Sequence, residues 1–247
     1  MNHVIILAGG KGTRMKSDLP KVLTPVKGEP ILKRLLTSVL PVCEKPTIII
    51  GHKGEEVIKA TNNAYDYVEQ KEQKGTGHAI ACAKDSLSSR KDITSIIVLP
   101  GDHPLISTNT IKKLIEIKEK NNASIVLATT VVPSYENQYN TFHHYGRIIT
   151  DSKGIVSGIV EYKDASDEQK NIKEVNLSYY CFDPAWLWQH IDTINNTNAS
   201  GEYYLTDLIE IAYKQNKTVL SCPIENIQES FGINTPEQLA IVESYIN

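Results

Sequence analysis

The sequence predicts an α/β fold in which a mainly parallel mixed sheet is flanked by helices and carries a smaller antiparallel lobe. Two features of the 247 residues predict this fold. Short β-branched runs alternate with amphipathic stretches through the first half, and from about Tyr145 closely spaced strands separated by polar turns replace that rhythm. Strand-helix-strand alternation produces right-handed crossovers between parallel strands, whereas short connections join antiparallel strands. We therefore expect one domain with two lobes.

The first half alternates five strand-like runs with four helical patterns. The strand-like runs are VIILA, TIII, YDYVEQ, SIIVLPGD and SIVLATTVV. The helical patterns are PILKRLLTSVL, EEVIKATNNA, GHAIACAKDSL and NTIKKLIEIKEK. Such units predict helices on both faces of the sheet and a ligand site at the carboxyl ends of its strands.

The second half begins with three runs that predict antiparallel strands and a second lobe, namely YGRIIT, GIVSGIVEY and EVNLSYYCFD. Helical patterns follow in PAWLWQHI and EYYLTDLIEIAYKQ, and a last helix is predicted from Pro236 to Ile246. Proline suits the first turn of a helix, and either Asn234 or Thr235 would cap it.

Composition limits the classes of protein that this chain can represent. The formal net charge of -3 argues against a nucleic-acid binder, which needs a basic surplus on one face. The four cysteines form no CxxC pair, so we expect reduced thiols. The apolar run at the N-terminus is too short for a signal peptide, and no segment approaches the roughly 20 apolar residues of a membrane span. We therefore expect a cytoplasmic protein without a membrane partner.

A glycine-rich loop follows the first strand and is suited to phosphate. Gly9, Gly10 and Gly12 allow backbone amides to approach an anion without interference from a Cβ. The loop fits neither a P-loop nor a dinucleotide fingerprint. A plain structural turn is the alternative, but the nearby cations Arg14 and Lys21 favour phosphate.

Two further strand ends carry polar groups. Gln70 ends a strand, and Gly75 and Thr76 lead into a helix. This segment could receive a flat polar group such as the edge of a base, and a structural helix start is the alternative.

Asp102 follows a buried strand, where its carboxylate needs a cation. Mg²⁺ suits such an oxygen ligand, and a simple turn before Pro104 is the alternative.

The segment LAGGKGTRMKSDLPKVL resembles the signature of sugar-1-phosphate nucleotidyltransferases. It is most similar to the uridylyltransferase half of the bacterial bifunctional enzymes that make UDP-N-acetylglucosamine. The resemblance extends over essentially the whole chain through four separated motifs. It implies a Rossmann-like, GT-A-like nucleotidyltransferase fold as a single domain over 1–247. Residues 1–144 would mainly bind nucleotide, 145–235 would mainly bind sugar, and 236–247 would form a C-terminal helix.

The resemblance also implies roles for individual residues. Arg14 and Lys21 would be catalytic, and Asp102 together with Asn234 would hold Mg²⁺. The nucleotide-binding residues would be Leu7, Ala8, Gly9, Gly10, Lys11, Gly12, Thr13, Gln70, Gly75 and Thr76. The sugar-binding residues would be Gly146, Glu161 and Asn176, while Glu202 and Tyr203 could approach the sugar. No catalytic role is assigned to His103, His143 or His144, because the implied chemistry needs no general base.

The implied reaction is Mg²⁺-dependent transfer of a uridylyl group from UTP to N-acetylglucosamine-1-phosphate, which gives UDP-N-acetylglucosamine and pyrophosphate for cell-wall or surface-glycan synthesis. Two alternatives remain. The enzyme could use another nucleotide, GTP or CTP, or another sugar-1-phosphate. A non-catalytic sugar-nucleotide sensor is disfavoured, because Arg14, Lys21, Asp102 and Asn234 are all retained.

Two departures from the family pattern lie near the expected sugar pocket. Pro100 replaces a tyrosine or similar residue before Gly-Asp, and NLSYY, which begins at Asn176, stands where the family commonly has Asn-Thr-Gly. Both concern the choice of sugar. The sequence also lacks the hexapeptide repeats of the bifunctional enzymes. We therefore expect no acetyltransferase activity and a monomer or dimer.

Overall fold

The computed structural model describes residues 1–246, and a nine-stranded mixed sheet forms its centre. The strands are β1 (Asn2–Leu7), β2 (Pro25–Val26), β3 (Glu29–Pro30), β4 (Thr47–Ile50), β5 (Asp66–Glu69), β6 (Ser95–Pro100), β7 (Ile125–Val131), β8 (Arg147–Thr150), β9 (Val156–Val160), β10 (Glu174–Phe182) and β11 (Val219–Pro223). Seven strands follow the order β11-β7-β10-β6-β1-β4-β5, β8 joins β10 and β9 joins β8, while β2 and β3 form a separate hairpin.

Helices flank the sheet and agree broadly with the predicted pattern. They are α1 (Ile31–Val39), α2 (Gly54–Ala60), α3 (Thr76–Cys82), α4 (Lys84–Leu87), α5 (Thr108–Asn121), α6 (Asp167–Lys170), α7 (Pro184–His190), α8 (Asp207–Lys214) and α9 (Pro236–Ser244). The pattern GHAIACAKDSL gives two short helices, α3 and α4, rather than one. Thr235 caps α9 by accepting a hydrogen bond from the Gln238 amide, so the choice between two caps is resolved.

Parallel pairing brings the ends of β1, β4 and β6 to one edge of the sheet. Leu7 of β1 is paired with Ile49 of β4 and with Pro100 of β6. The glycine loop after β1 and the Gly-Asp pair after β6 therefore begin side by side, as expected for the carboxyl edge of a parallel sheet.

Strand β10 is antiparallel, as predicted, but it lies in the main sheet between β6 and β7. Only β8 and β9, which are attached through β8 to β10, extend from the path of the main sheet. The second lobe is thus continuous with the first, because its longest strand is also a central strand of the sheet.

Alternate residues of the central strands fill two apolar cores, one on each face of the sheet. In β1, Val4 and Ile6 belong to one core and Ile5 to the other. Helices α1, α5 and α9 cover the first face, and α3, α7 and α8 cover the second. Each fully buried Ile or Val contributes about 1.5–3 kcal/mol, which fixes the strands that position the site.

Over residues 1–246, no helix is long and apolar enough to cross a membrane.

Candidate active site

The glycine-rich loop lies beside the turn that carries Lys21. Gly12 has φ +60°, and a Cβ placed on it would lie 2.7 Å from the Cβ of Lys21, so this contact requires glycine. A Cβ on Gly10 would meet nothing within 4 Å. The loop is therefore packed tightly at Gly12 and open at Gly10.

The loop borders a first cavity of about 310 Å³ at the carboxyl edge of the sheet. Its wall includes seven of the predicted nucleotide-binding residues, namely Leu7, Ala8, Gly9, Gly10, Gln70, Gly75 and Thr76. Lys11, Gly12, Thr13 and Arg14 do not line it. Four residues without a role predicted from the sequence also line it, namely Val22, Ile49, Gln73 and Ala79.

The start of α3 fits closely against the segment before α8. Gly75 has φ +105°, and a Cβ on it would lie 2.6 Å from the Tyr203 carbonyl oxygen. That carbonyl accepts a hydrogen bond of 2.8 Å from the Gly77 amide. Glu202, which the resemblance allows to approach the sugar, lines the first cavity and not the second. The backbone of Tyr203 thus fixes the start of α3.

A second cavity of about 190 Å³ contains all three predicted sugar-binding residues, Gly146, Glu161 and Asn176. The Thr206 hydroxyl donates a 3.1 Å hydrogen bond to Glu161. Burial raises the pKa of Glu161 above its ordinary value, and this hydrogen bond offsets the rise only in part. The Asn176 amide nitrogen donates to the Tyr180 hydroxyl at 2.7 Å. The cavity therefore offers a carboxyl directly after β9 and an amide on β10.

Buried Arg147 supports one wall of this second cavity. Its guanidinium lies 4.5 Å from the centre of the Tyr135 ring and donates to the backbone carbonyl of His143 at 2.9 Å. Burial lowers the pKa of Arg147 below its ordinary value. The contacts hold the segment that carries His144 and Tyr145, which line the cavity and were not assigned from the sequence.

The two cavities meet at Pro100, Asp102 and Ser178, each of which lines both. The pairing of β10 with β7 shifts register between Asn176 and Tyr180. Within this bulge, Ser178 adopts φ +61° and its amide donates to the Asn176 side-chain oxygen at 3.1 Å. Both departures from the family pattern therefore lie at the junction of the cavities.

Lys21, Asp102, Asn234 and Arg14 form a charged centre beside this junction. The Lys21 ammonium is paired with the Asp102 carboxylate and donates to Asn234 Oδ1 at 3.0 Å. Arg14 donates to the same oxygen at 3.0 Å. Burial would raise the pKa of Asp102, but the Lys21 ammonium holds it below its ordinary value. The carboxylate is therefore ionised, with a cation as its partner.

His103 packs behind the charged centre. Its Nδ1 lies 2.5 Å from the Tyr179 hydroxyl, which donates to the Glu229 carbonyl oxygen. Burial lowers the pKa of His103 to about 4, so its ring is neutral near pH 7. This contact could not be predicted from the sequence, because Tyr179 lies 76 positions away from His103.

The side-chain oxygens of Asp102 and Asn234 fit a hard divalent cation. Both already contact one cation, the Lys21 ammonium, so both point to a common region. Over residues 1–246, no group of three or more His, Cys, Asp or Glu side chains could enclose a metal. Mg²⁺ commonly takes one or two protein oxygens and completes its coordination with phosphate and water. The donor set suits this mode of binding.

Sequence comparisons connect this geometry with known proteins. A family described as a MobA-like NTP transferase domain matches residues 4–172, more than half of the chain. Proteins named Bifunctional protein GlmU are similar: that of Shouchella clausii is 41% identical over 241 residues, and that of Lactococcus lactis subsp. lactis is 42% identical over 240. These alignments cover 97% of this chain but 51% and 50% of the relatives. The chain thus spans about half the length of the curated relatives it matches.

Solved structures share the fold at low sequence identity. A UDP-glucose pyrophosphorylase complexed with UDP-glucose superposes with a TM-score of 0.77 at 18% identity, covering 99% of this chain and 98% of that one. A putative glucose-1-phosphate thymidylyltransferase from Bacillus anthracis gives 0.73 at 18% identity, with 99% and 95% covered. Together with the family match, the fold leads to one assignment. The chain belongs to the family of the MobA-like NTP transferase domain.

Proposed function

We propose that this protein transfers a uridylyl group from UTP to N-acetylglucosamine-1-phosphate and releases pyrophosphate. One observation carries the proposal: a cavity with the glycine loop and a cavity with Glu161 and Asn176 meet beside Lys21 and Asp102. A transfer between two bound phosphates needs this kind of junction. The substrates are supported by the roughly 40% identity to the GlmU proteins.

The reaction is an in-line displacement at the α-phosphorus of UTP. An oxygen of the sugar phosphate forms the new P–O bond, and the bond between the α-phosphorus and the bridging oxygen breaks, so that pyrophosphate leaves with that electron pair. The nucleophile is already ionised near neutral pH, so no general base is required. Catalysis then depends on positioning and on neutralisation of charge.

The residues have distinct proposed roles. The loop from Gly9 to Thr13 binds the nucleotide phosphates through its amides, and Arg14 neutralises charge on the departing β- and γ-phosphates. Lys21 contacts the α-phosphate and the incoming sugar phosphate, for which it must exchange Asp102 for phosphate oxygen. Gln70, Gly75 and Thr76 bind the base and ribose.

Asp102 and Asn234 would hold Mg²⁺. When bound, the ion supplies positive charge close to the phosphate oxygens. We propose a division into lobes in which residues 1–144 mainly bind nucleotide and 145–235 mainly bind sugar, with 236–247 as the C-terminal segment; the presence of two cavities supports it. We also propose a cytoplasmic enzyme that acts as a monomer or dimer.

The test is pyrophosphate release with Mg²⁺ from each of ATP, CTP, GTP, UTP and dTTP. Each nucleotide is paired with N-acetylglucosamine-1-phosphate, glucosamine-1-phosphate or glucose-1-phosphate. Strong release only with UTP and N-acetylglucosamine-1-phosphate is expected. Nucleotide binding without pyrophosphate release from any pair would contradict the proposed enzymatic activity and favour a non-catalytic sugar-nucleotide sensor.

A second candidate differs only in the sugar. Pro100 and Ser178 both line the junction between the cavities, where the sugar phosphate would lie. Preference for glucosamine-1-phosphate or glucose-1-phosphate in the same assay would favour this candidate and leave the proposed mechanism unchanged.

A further inference from the structure

The buried amide of Gln70 is fixed by two partners in the wall of the first cavity. Its Nε2 donates to the Gly75 carbonyl oxygen at 3.0 Å and lies 3.1 Å from Nδ1 of His78. A backbone carbonyl can only accept, so the amide nitrogen must face Gly75. The Gly75 carbonyl therefore fixes the orientation of the amide, with Nε2 toward Gly75 and Oε1 on the opposite side.

The same contacts indicate the tautomer of the neutral His78 ring. Gln70 offers N–H groups to both partners, so His78 Nδ1 accepts and the ring proton is on Nε2. That second ring nitrogen lies 3.9 Å from Cys82 Sγ. A reversed Gln70 amide would place its oxygen against the Gly75 carbonyl oxygen, and also against His78 Nδ1 as long as the ring keeps this tautomer. Leaving buried groups unsatisfied in this way costs about 1–3 kcal/mol each.

The oxygen of Gln70 is left free to serve a ligand. Oε1 lies 3.3 Å from the position that a Cβ on Gly9 would occupy, on the side of the glycine loop. Both Gly9 and Gln70 line the first cavity. No group within residues 1–246 donates a hydrogen bond to this oxygen. It can therefore accept from a bound base.

We propose that His78 is a positioning residue that holds the Gln70 amide with its oxygen toward the cavity, so that the site selects uracil over cytosine. The inference rests on the proposed function, because it assumes that the base binds in the first cavity. Uracil presents an N3–H donor where cytosine presents an unprotonated N3 acceptor. Oε1 therefore accepts a hydrogen bond from uracil N3–H, whereas it is repelled by the lone pair of cytosine N3. A site whose buried polar group is left unpaired by the wrong ligand discriminates strongly against that ligand.

The test compares dissociation constants for UTP and CTP, measured by calorimetry with Mg²⁺ on the full chain. His78→Ala should reduce the preference for UTP about 5- to 10-fold, the value of one hydrogen bond. His78→Phe keeps an aromatic ring but removes the acceptor, so it should reduce the preference for UTP by a similar factor. His78→Asn should retain most of the preference for UTP, because the asparagine side-chain oxygen can accept the hydrogen bond in place of Nδ1. Cys82→Ala, at the other ring nitrogen, is the matched control and should leave the ratio unchanged.

Kinetics provide a second readout. The KM for the sugar phosphate should stay constant in all of these variants, since none lines the second cavity. A folded His78→Ala or His78→Phe variant with the wild-type UTP/CTP ratio would overturn the inference, as would His78→Asn behaving like His78→Ala. Absence of pyrophosphate release in the wild type would instead contradict the proposed function, while the ratio of binding constants would still decide the role of His78.

Discussion

The ammonium nitrogen of Lys21 lies 3.0 Å from the side-chain oxygen of Asn234, a residue 213 positions further along the chain. The same nitrogen is paired with the Asp102 carboxylate. One cation therefore joins the turn after the glycine loop, the turn after β6 and the segment before α9. The side chains of Lys21 and Asp102 are 17% and 13% exposed, so water screens their attraction weakly.

Replacing Lys21 by methionine should lower turnover about 10²-fold or more, because it removes a preorganised positive charge. It should also lower the free energy of unfolding by about 3 kcal/mol, since the Asp102 carboxylate loses its partner. Pyrophosphate release and urea unfolding measure the two effects.

The double variant Lys21→Met with Asp102→Asn separates these effects. It should recover most of the stability without recovering turnover, because the unpaired charge is gone while the catalytic cation, and now also one proposed Mg²⁺ ligand, is missing. Lys217→Met, at an exposed lysine that lines neither cavity, is the control. Near-normal turnover in a folded Lys21→Met variant would contradict the catalytic role.

The strand ends that carry polar groups could be predicted from the sequence. Glycines or an aspartate directly after a β-branched run mark the carboxyl edge of a parallel sheet, and the loop at Gly9 and the carboxylate of Asp102 lie there as expected. These signals are local: each depends on a few consecutive residues and on one rule of strand pairing. The placement of β10 between β6 and β7 has no such signal, because strand order depends on contacts between distant segments.

The side-chain contacts around the site could not be predicted from the sequence either. The Gln70 amide contacts both Gly75 and His78, and the bulge at Ser178 depends on the pairing of β10 with β7. His103 reaches Tyr179 across 76 positions. None of these partners is set by spacing along the chain, so residue type alone could not distinguish a ligand-binding role from a structural one.

Ser178 is expected to hold local strain. A left-handed backbone conformation costs a residue with a Cβ about 1–2 kcal/mol, whereas glycine adopts it freely. Ser178→Gly should therefore raise the free energy of unfolding by about 1 kcal/mol in urea unfolding.

Ser178→Ala is the matched control, because it removes the hydroxyl but keeps the Cβ and therefore the strain. It should show no gain in stability. If Ser178→Gly proves no more stable than Ser178→Ala, the bulge does not store strain at this residue.

The raised pKa of Asp207 predicts a free energy of unfolding that depends on pH. Burial, followed by the charges of Glu210 and Asp164, raises its pKa from 3.8 to about 6. The native state therefore holds this proton more tightly than the unfolded state, and stability falls as pH rises from about 4 to 6. Asp207→Asn removes the penalty. It should increase the free energy of unfolding by about 1 kcal/mol at about pH 7, after discounting for partial exposure, and by nothing near pH 3.

Urea unfolding at several pH values measures this difference. Glu44→Gln, at an exposed carboxyl, is the control and should give no gain at either pH. A gain for Asp207→Asn that is equal at pH 3 and pH 7 would show that the carboxylate charge is not its cause.

Two glycines of the same loop should respond differently to alanine. Gly12→Ala places a Cβ 2.7 Å from Lys21 Cβ at φ +60°, so it should cost about 1–2 kcal/mol of stability and lower turnover by displacing Lys21. Gly10→Ala meets nothing within 4 Å in the protein and should leave stability unchanged. If phosphates approach the loop there, the added methyl raises the KM for UTP about 10-fold. Thermal unfolding and steady-state kinetics measure both variants, and an unaltered KM in Gly10→Ala would exclude Gly10 from the phosphate site.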